Sequence, residues 1–258
     1  MRARNHVWLA QAAIDILAAD AQTIPLAELL RRHPREMWLG SSWLPDVCFG
    51  DVDTAHVCRS KYVTGEDALP RRISELFEAA VAHVGRDETP FGETQTALAF
   101  FILGHYLADA NCPLHVDPRL GTEHDPGAIP SSLHHELEAA WETWFAETTA
   151  GALELRMDGD SPLSIIPATA MTRYAAETSA TSGTRRAAKI IIERTRRLAI
   201  SRIPAGCPDL DRLQRSLGPR GLEMLAAECF ACAVADLAVS WRAAWLKTGS
   251  DAMASLEL

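Results

Sequence analysis

The sequence predicts an all-α fold in a single domain, and three observations lead to that prediction. Apolar residues recur at helical spacing in most segments of the chain. Proline and glycine cluster between these segments, as they do in the connections between helices. The 258 residues are enough for one large domain with a substantial core, and no repeat, low-complexity tract or convincing linker divides them.

Helices are predicted for most of the N-terminal half from the spacing of its apolar residues. An amphipathic helix covers residues 5–20, and a short helix covers 26–33, which Pro34 follows. Another helix is predicted at 67–84. Residues 40–51 contain two glycines and a proline, so a loop is predicted there.

The helix predicted at 93–112 is expected to be the centre of the fold. Its apolar run ALAFFILG indicates burial on nearly all sides. In the C-terminal half, residues 168–200 are helix-rich with a break at Gly183. Further helices are predicted at 208–217 and at 221–247.

The end of the central helix carries the residues that predict chemistry, in the stretch GHYLADANCPLH. His105 and Asp109 are four residues apart, so both side chains leave the same face of a helix. Pro113 ends the helix, and the turn lets His115 swing back towards that face. Two imidazoles and a carboxylate at one point are ligands that zinc prefers. Polar side chains on so buried a helix also need partners, which a metal supplies.

A second pair with the same spacing supports a metal site. His134 and Glu138 lie four residues apart in the run LHHELEAAW. The segment before them is rich in proline and glycine, so a loop is predicted that lets the two ligand-bearing helices face each other. His135 is a rival ligand, but its own residue at i+4 is Ala139, which favours His134.

These two spacings resemble those of the zinc-dependent phospholipase C and S1/P1 nuclease superfamily. That family carries H-x3-D-x5-H, followed by H-x3-E or H-x3-D, on the helices of an all-α fold. The resemblance implies a helical bundle of the phospholipase C/P1 nuclease type over residues 1–258, with two or three Zn²⁺ ions per chain.

The resemblance also implies a set of ligands for each metal. The first metal would be bound by Asp46, His56, His105 and Asp109, the second by His115, His134 and Glu138, and the third by His6, the Met1 terminus and a bridging Asp109. In the family the N-terminal residue is normally a tryptophan exposed by signal-peptide removal, whereas this chain starts at Met1. Whether two or three metals bind, and whether Met1 is a ligand, is therefore left open. Asp46 is either a ligand or the base on the attacking water, with Asp51 and Asp53 as competitors.

The resemblance implies a hydrolase that cleaves a phosphate ester by a metal-activated hydroxide, and a phosphodiester is the first expectation for this ester. Trp43, Phe49 and Tyr62 lie near the ligands and are candidate substrate contacts, but nothing chooses between a choline headgroup and a nucleobase. One alternative is a non-haem di-iron or other metal-dependent enzyme of small-molecule metabolism on the same helical site. Another is a metal site that only holds the bundle together. The lack of an E-x-x-H arrangement argues against di-iron.

Composition and charge restrict the partners. The net charge is −9 and no Lys/Arg-rich run is present, which argues against generic nucleic-acid binding and leaves a small anionic substrate as the expected partner. No apolar run is long enough to span a membrane. The N-terminal segment is interpreted as a domain helix rather than a signal peptide, and the six cysteines as reduced thiols, so a cytoplasmic location is expected. The oligomeric state is left open.

Overall fold

The computed structural model describes residues 1–52, 54–84, 89–121, 127–149, 165–177 and 185–254. Within these ranges the chain forms eleven α-helices and one π-helix. An isolated bridge between Leu120 and Ile129 is the only β-type pairing that they contain. The predicted all-α class is therefore confirmed. No helix of the described segments is both long enough and apolar enough to cross a membrane.

The helices follow one another as α1 (Ala3–Ala18), α2 (Ile24–Arg31), α3 (Pro34–Trp38), the π-helix (Leu39–Cys48), α4 (Ala68–His83), α5 (Pro90–Ala110), α6 (Pro113–Val116), α7 (Ser131–Thr149), α8 (Ile166–Glu177), α9 (Arg185–Arg202), α10 (Leu210–Leu217) and α11 (Gly221–Ala254). Most of the predicted bounds differ from these by a few residues. Apolar spacing indicates which side chains are buried, but caps and tertiary contacts decide where each helix ends. The break predicted at Gly183 lies outside the described residues.

The prediction of a loop over residues 40–51 is wrong for most of that stretch. Leu39–Cys48 form a π-helix that continues directly from α3. It packs against α5 so closely that a Cβ on Gly40 would lie 2.8 Å from Cβ of Phe101. Pro45 lies inside this helix and cannot donate a backbone hydrogen bond. Glycine and proline disfavour a helix locally, so packing against α5 stabilises an element that the sequence pattern does not show.

Helix α5 is the centre of the fold. Thr89 caps its first turn by accepting a 3.3 Å hydrogen bond from the backbone N–H of Gly92. Helix α5 contacts most of the other helices, namely α1, α2, α3, the π-helix, α4, α6, α9 and α11. The following side chains of α5 are fully enclosed: Phe100, Phe101, Leu103, Tyr106 and Leu107. The run ALAFFILG is thus buried on most of its faces, as predicted, although Leu98, Ala99 and Ile102 are only partly buried.

Helix α11 crosses α5 at Gly104, the residue before His105. A Cβ on Gly104 would lie 2.8 Å from Cζ2 of Trp241, which is closer than side chains approach one another. The Trp241 ring is fully buried and meets the rings of Phe100 and Phe101 edge-on. Only glycine fits this crossing without a shift, so α11 directly supports the turn of α5 that carries His105.

Asp20 joins the end of α1 to two helices of the C-terminal half. Its carboxylate accepts hydrogen bonds from Tyr174 Oη on α8 at 2.7 Å and from Arg242 Nε on α11 at 2.8 Å. Partial burial by itself raises the pKa of the Asp20 carboxyl, but these two bonds hold it below the ordinary value of 3.8. The charged form of Asp20 therefore stabilises the fold.

We expect Asp20→Asn to lower the free energy of unfolding at neutral pH by about 1–2 kcal/mol, because two bonds to a charged acceptor are weakened. The folded chain binds this proton less tightly than the unfolded chain. The stabilisation is thus fully present above an unfolded-state pKa of about 3.9 and is lost as the pH falls through the lower folded-state pKa. Urea unfolding at a series of pH values should show the two proteins converging in acid. Asp15→Asn, an exposed acid on α1, is the control and should change little. A difference that does not depend on pH would contradict this account.

Candidate metal centre

The nine predicted ligand residues converge beside the C-terminal half of α5. They are Met1, His6, Asp46, His56, His105, Asp109, His115, His134 and Glu138. Among the described residues, the potential ligands form three groups, in each of which one ligand atom per residue lies within 4.8 Å of the others, and two of these groups share His105. The convergence is a structural observation, whereas metal binding by these residues stays a prediction.

The first group combines the π-helix, the loop after it and α5. Asp46 Oδ1 lies 3.3 Å from Nε2 of His105 and 3.8 Å from Nδ1 of His56. The two imidazoles approach each other to 3.1 Å between Nε2 of His105 and Nδ1 of His56. Oδ2 of Asp109 lies 2.7 Å from that Nδ1 and 3.2 Å from that Nε2. These four residues are the set that the family resemblance implies for the first metal.

The second group lies between α5, α6 and α7. Oε1 of Glu138 is 3.1 Å from Nε2 of His115 and 2.8 Å from Nε2 of His134. Cys112 joins these three residues, although the sequence analysis does not include it among the ligands. The group therefore offers one sulfur, two nitrogens and one carboxylate.

The third group is built around the start of the chain. The amino nitrogen of Met1 lies 2.9 Å from Oδ1 of Asp109, 2.8 Å from Oε1 of Glu138 and 3.3 Å from Nε2 of His115. Nε2 of His6 is 3.0 Å from the carbonyl oxygen of Met1 and 3.5 Å from Oδ1 of Asp109. Asp109 thus contacts all parts of the centre, and the Met1 amine lies between its carboxylate and that of Glu138.

Hydrogen bonds on the outer nitrogens fix the orientation of three imidazoles. Nδ1 of His105 lies 2.9 Å from the carbonyl oxygen of Ser41, and Nδ1 of His115 lies 2.8 Å from that of His56. A carbonyl only accepts, so both Nδ1 atoms donate, and in the neutral imidazole each Nε2 keeps a lone pair for a metal. Nε2 of His56 faces the carboxylate of Asp51 at 3.1 Å, and a proton on this nitrogen would leave the Nδ1 lone pair for a metal. Histidine ligands of metals are held in this way, by a carbonyl or carboxylate on the other nitrogen.

These residues fit a divalent metal. With their outer nitrogens donating and no proton on the inner ones, Nδ1 of His56 and Nε2 of His105 would direct two lone pairs at each other across 3.1 Å, and both side chains are buried. Two lone pairs at that separation repel unless a cation or a proton lies between them. Imidazole nitrogens and carboxylate oxygens in a buried cluster are the donors that zinc accepts.

Burial and charge act in opposite directions on the ligands. Burial alone would raise the pKa of Asp109, but the positive charges of His115, the Met1 amine and His105 hold it well below its ordinary value. Burial alone would lower the pKa of His105, but the Asp109 carboxylate raises it to about 9. Burial lowers the pKa of His6, and this imidazole is neutral. Protons on His105 and the amine therefore balance the carboxylates, and a metal that binds here must displace them.

The fold can now be compared with known proteins. No protein-family model matches the chain, and no curated protein matches its sequence. Among solved structures, the chain is similar to Clostridium perfringens alpha-toxin from an avian strain, with a TM-score of 0.57 and 16% sequence identity. The chain has the helical fold of this toxin. The match covers 96% of the present chain and 64% of the toxin chain, so this chain spans less than two thirds of the toxin's length.

The similarity to alpha-toxin concerns the fold alone, because the sequence identity is low. It agrees with the fold of the phospholipase C/P1 nuclease type that the two histidine-carboxylate spacings predict. The ligand positions argued above come from this chain's own side chains and do not depend on the toxin.

Cys112 is the one member of the three groups that sequence reasoning misses. It lies three residues after Asp109 and three before His115, a spacing that would place it beside both, but the turn at its position hides this from a helical pattern. Burial by itself raises the pKa of the thiol, yet the positive charge of His115 outweighs burial and brings this pKa down to about 6. The thiol is therefore in an electropositive surrounding.

Other candidates lie away from the three groups. Cys58 is buried with its sulfur 3.7 Å from Asp67, and His135 stacks at a tilt beside His134 without joining a group. Asp53, the other competitor of Asp46, lies outside the described residues.

Asp51 is a positioning residue rather than the competitor of Asp46 that the sequence suggests. Its carboxylate faces Nε2 of His56 and accepts hydrogen bonds from Arg72 at 2.6 Å and from Tyr106 Oη at 3.0 Å. Burial raises the pKa of Asp51, but Arg72 and Tyr106 outweigh it and lower that pKa. A charged Asp51 thus holds His56 in the orientation that directs Nδ1 to the first group.

We expect Asp51→Ala to weaken zinc binding by about 10–100-fold, because His56 loses the carboxylate that fixes its ring. Zinc affinity is measured by competition with a chromophoric chelator. Glu75→Ala removes an exposed acid from α4 and is the control. Equal zinc affinities of the two variants would refute the positioning role.

Proposed function

We propose that this chain is a multinuclear zinc-dependent phosphoesterase that hydrolyses phosphodiesters. The observation that carries the proposal is the convergence of oriented imidazole nitrogens on the carboxylates of Asp109 and Glu138 in neighbouring ligand groups. A centre that only braced the bundle would need one closed set of four ligands. Here, in contrast, His105 and Asp109 each contact residues of both the first and the third group, so the ligands form adjoining sites rather than one closed site. The resemblance of the histidine-carboxylate spacings to the phospholipase C and P1 nuclease superfamily supports the same reaction.

Zinc ions in this centre would supply positive charge for phosphate oxygens and would make a nearby water a stronger acid. His56, His105 and Asp109 are the buried residues that would hold the first ion. His115, His134 and Glu138 would hold the second. The net charge of −9 counts only the protein, so such ions would reverse the sign of the charge where an anionic ester binds.

We propose that Asp46 accepts the proton of the attacking water. It is 38% exposed, whereas His56, His105 and Asp109 are almost completely buried, so Asp46 forms the side of the first group that is open to solvent. Its Oδ1 atom is 3.3 Å from Nε2 of His105. A carboxylate at this place can accept the water's proton, or it can bind the first metal itself.

The rim beside Asp46 is apolar and exposed. Trp43 and Val47 belong to the same π-helix and are 47% and 61% exposed, and Phe49 follows directly after it. The guanidinium of Arg72 lies 5.7 Å from the Phe49 ring centre. An ester with an apolar or planar group next to the phosphate would bury that group here, so we propose an organic phosphodiester rather than a simple phosphate monoester.

Elemental analysis of the purified protein, followed by a panel of phosphodiesters and phosphomonoesters, tests the proposal. The chain that begins at Met1 is compared with one extended at its N-terminus, in which the amine next to Asp109 becomes an amide. We expect about three zinc per chain in the first protein and about two in the second, since three groups are present and one uses the amine. The variant Asp46→Asn separates the two roles of Asp46. If Asp46 is the base, the variant loses hydrolysis but keeps its zinc. If Asp46 is a ligand, the variant loses zinc as well as hydrolysis.

Two zinc in both proteins would remove Met1 from the ligands and leave a dinuclear hydrolase. Iron at two per chain, no bound metal, or full zinc without hydrolysis of any ester in the panel would contradict the proposed function.

A further inference from the structure

Cys112 is held between two predicted ligands by its backbone. It lies in the extended residue between α5 and α6, and its side chain is fully buried. Its N–H donates to the carbonyl oxygen of Asp109 at 2.9 Å, and its carbonyl oxygen accepts from the N–H of His115 at 3.1 Å. These bonds connect the backbone of Cys112 directly to the residues that carry two predicted ligands. The thiol therefore projects from a backbone position that is tied to Asp109 and His115.

The sulfur faces the other members of the second group. One ligand atom each from Cys112, His115, His134 and Glu138 lies within 4.8 Å of the rest. Their combination of one thiolate, two imidazoles and one carboxylate is a full set of four for tetrahedral zinc. The first group has no sulfur and has an exposed carboxylate, Asp46, on its solvent side.

We propose that Cys112 is the fourth ligand of the second metal, bound as a thiolate. This rests on the metal binding of the proposed function. On binding, the S–H bond breaks, its proton leaves to solvent, and a sulfur–metal bond forms. A soft thiolate makes this position selective for Zn²⁺, Co²⁺ or Cd²⁺ over Mg²⁺ and Mn²⁺.

A closed set of four ligands leaves no place for water at the second metal. The two groups then differ in their tasks: the second holds its ion tightly and positions α6 and α7, and the reacting water belongs to the first group beside Asp46. Asp109 contacts both His56 and His105 of the first group and the Met1 amine of the third.

Replacement of the bound metal by Co²⁺ tests the inference, because a thiolate bound to Co²⁺ gives a charge-transfer absorption in the near ultraviolet that imidazole and carboxylate do not give. We expect this absorption in the wild-type protein at one equivalent of Co²⁺. It should be lost in Cys112→Ser and retained in Cys207→Ser. Cys207 is another buried cysteine that belongs to none of the three groups, so its variant controls for general effects of removing a thiol.

X-ray absorption of the wild-type zinc protein keeps the inference testable if Cys112→Ser does not fold. A sulfur shell at about 2.3 Å from zinc is expected. Bound metal without sulfur in the shell, combined with phosphodiester hydrolysis, overturns the role of Cys112 and leaves the proposed function intact. Sulfur in the shell without hydrolysis supports Cys112 and contradicts the function. A protein that binds no metal overturns both.

Discussion

Asp109→Asn is expected to abolish phosphodiester hydrolysis and to weaken metal binding by more than about 100-fold. This loss is larger than the loss of a residue that only hydrogen-bonds to a metal ligand, which costs up to about 100-fold. The carboxylate is 1% exposed and lies 2.7 Å from His56, 3.2 Å from His105 and 2.9 Å from the Met1 amine. It belongs to the first group through Oδ2 and to the third group through Oδ1. An amide keeps the shape of the side chain but removes the charge on which both groups depend.

The measurement is zinc per chain after dialysis, together with the rate of phosphodiester hydrolysis at saturating zinc. Glu142→Gln is the matched control, because Glu142 lies one turn beyond Glu138 on α7 and pairs with Arg2 outside the ligand groups. Circular dichroism of both variants without metal shows whether each is folded. A folded Asp109→Asn protein that keeps its zinc and its activity would refute the central place of Asp109.

Asp236→Ala is expected to lower the free energy of unfolding by about 3–5 kcal/mol. The Asp236 carboxylate on α11 is 2% exposed and accepts hydrogen bonds from Arg194 Nη2 at 2.5 Å and from Asn111 Nδ2 at 2.8 Å. The same Nη2 donates to Oδ1 of Asn111 at 2.7 Å. Removal of Asp236 leaves the Arg194 guanidinium, which is only a quarter exposed, without its carboxylate. The network joins α9 and α11 to Asn111, the residue that ends α5 just before Cys112.

Urea unfolding in the presence of a chelator measures this effect without a contribution from bound metal. Glu78→Ala is the control, since it breaks an exposed ion pair with Lys247 and should cost less than about 1 kcal/mol. The double variant Arg194→Met/Asp236→Leu removes both charges and should recover most of the loss. If Asp236→Ala costs no more than Glu78→Ala, the network does not stabilise the junction of these helices.

The sequence by itself determined the parts of the molecule whose geometry is local. Helical periodicity identifies α1 and α4, because a helix that packs on a core with one face repeats its apolar residues every three or four positions, and long apolar runs identify the buried helices α5 and α11. The same rule places His105 beside Asp109 and His134 beside Glu138, since residues four apart share a face. Neither inference needs knowledge of any distant contact.

Only the tertiary structure decided how these local pieces meet. Met1 contacts Asp109 across 108 positions and His56 contacts it across 53, and no local periodicity encodes such separations. The π-helix forms against local propensity because α5 packs on it. Asp51 and Asp46 are both acids near the same proline, and only their positions show that one orients His56 while the other faces solvent. Cys112 joins the second group because a turn between two helices directs it inward, and the direction of a turn is set by what packs around it.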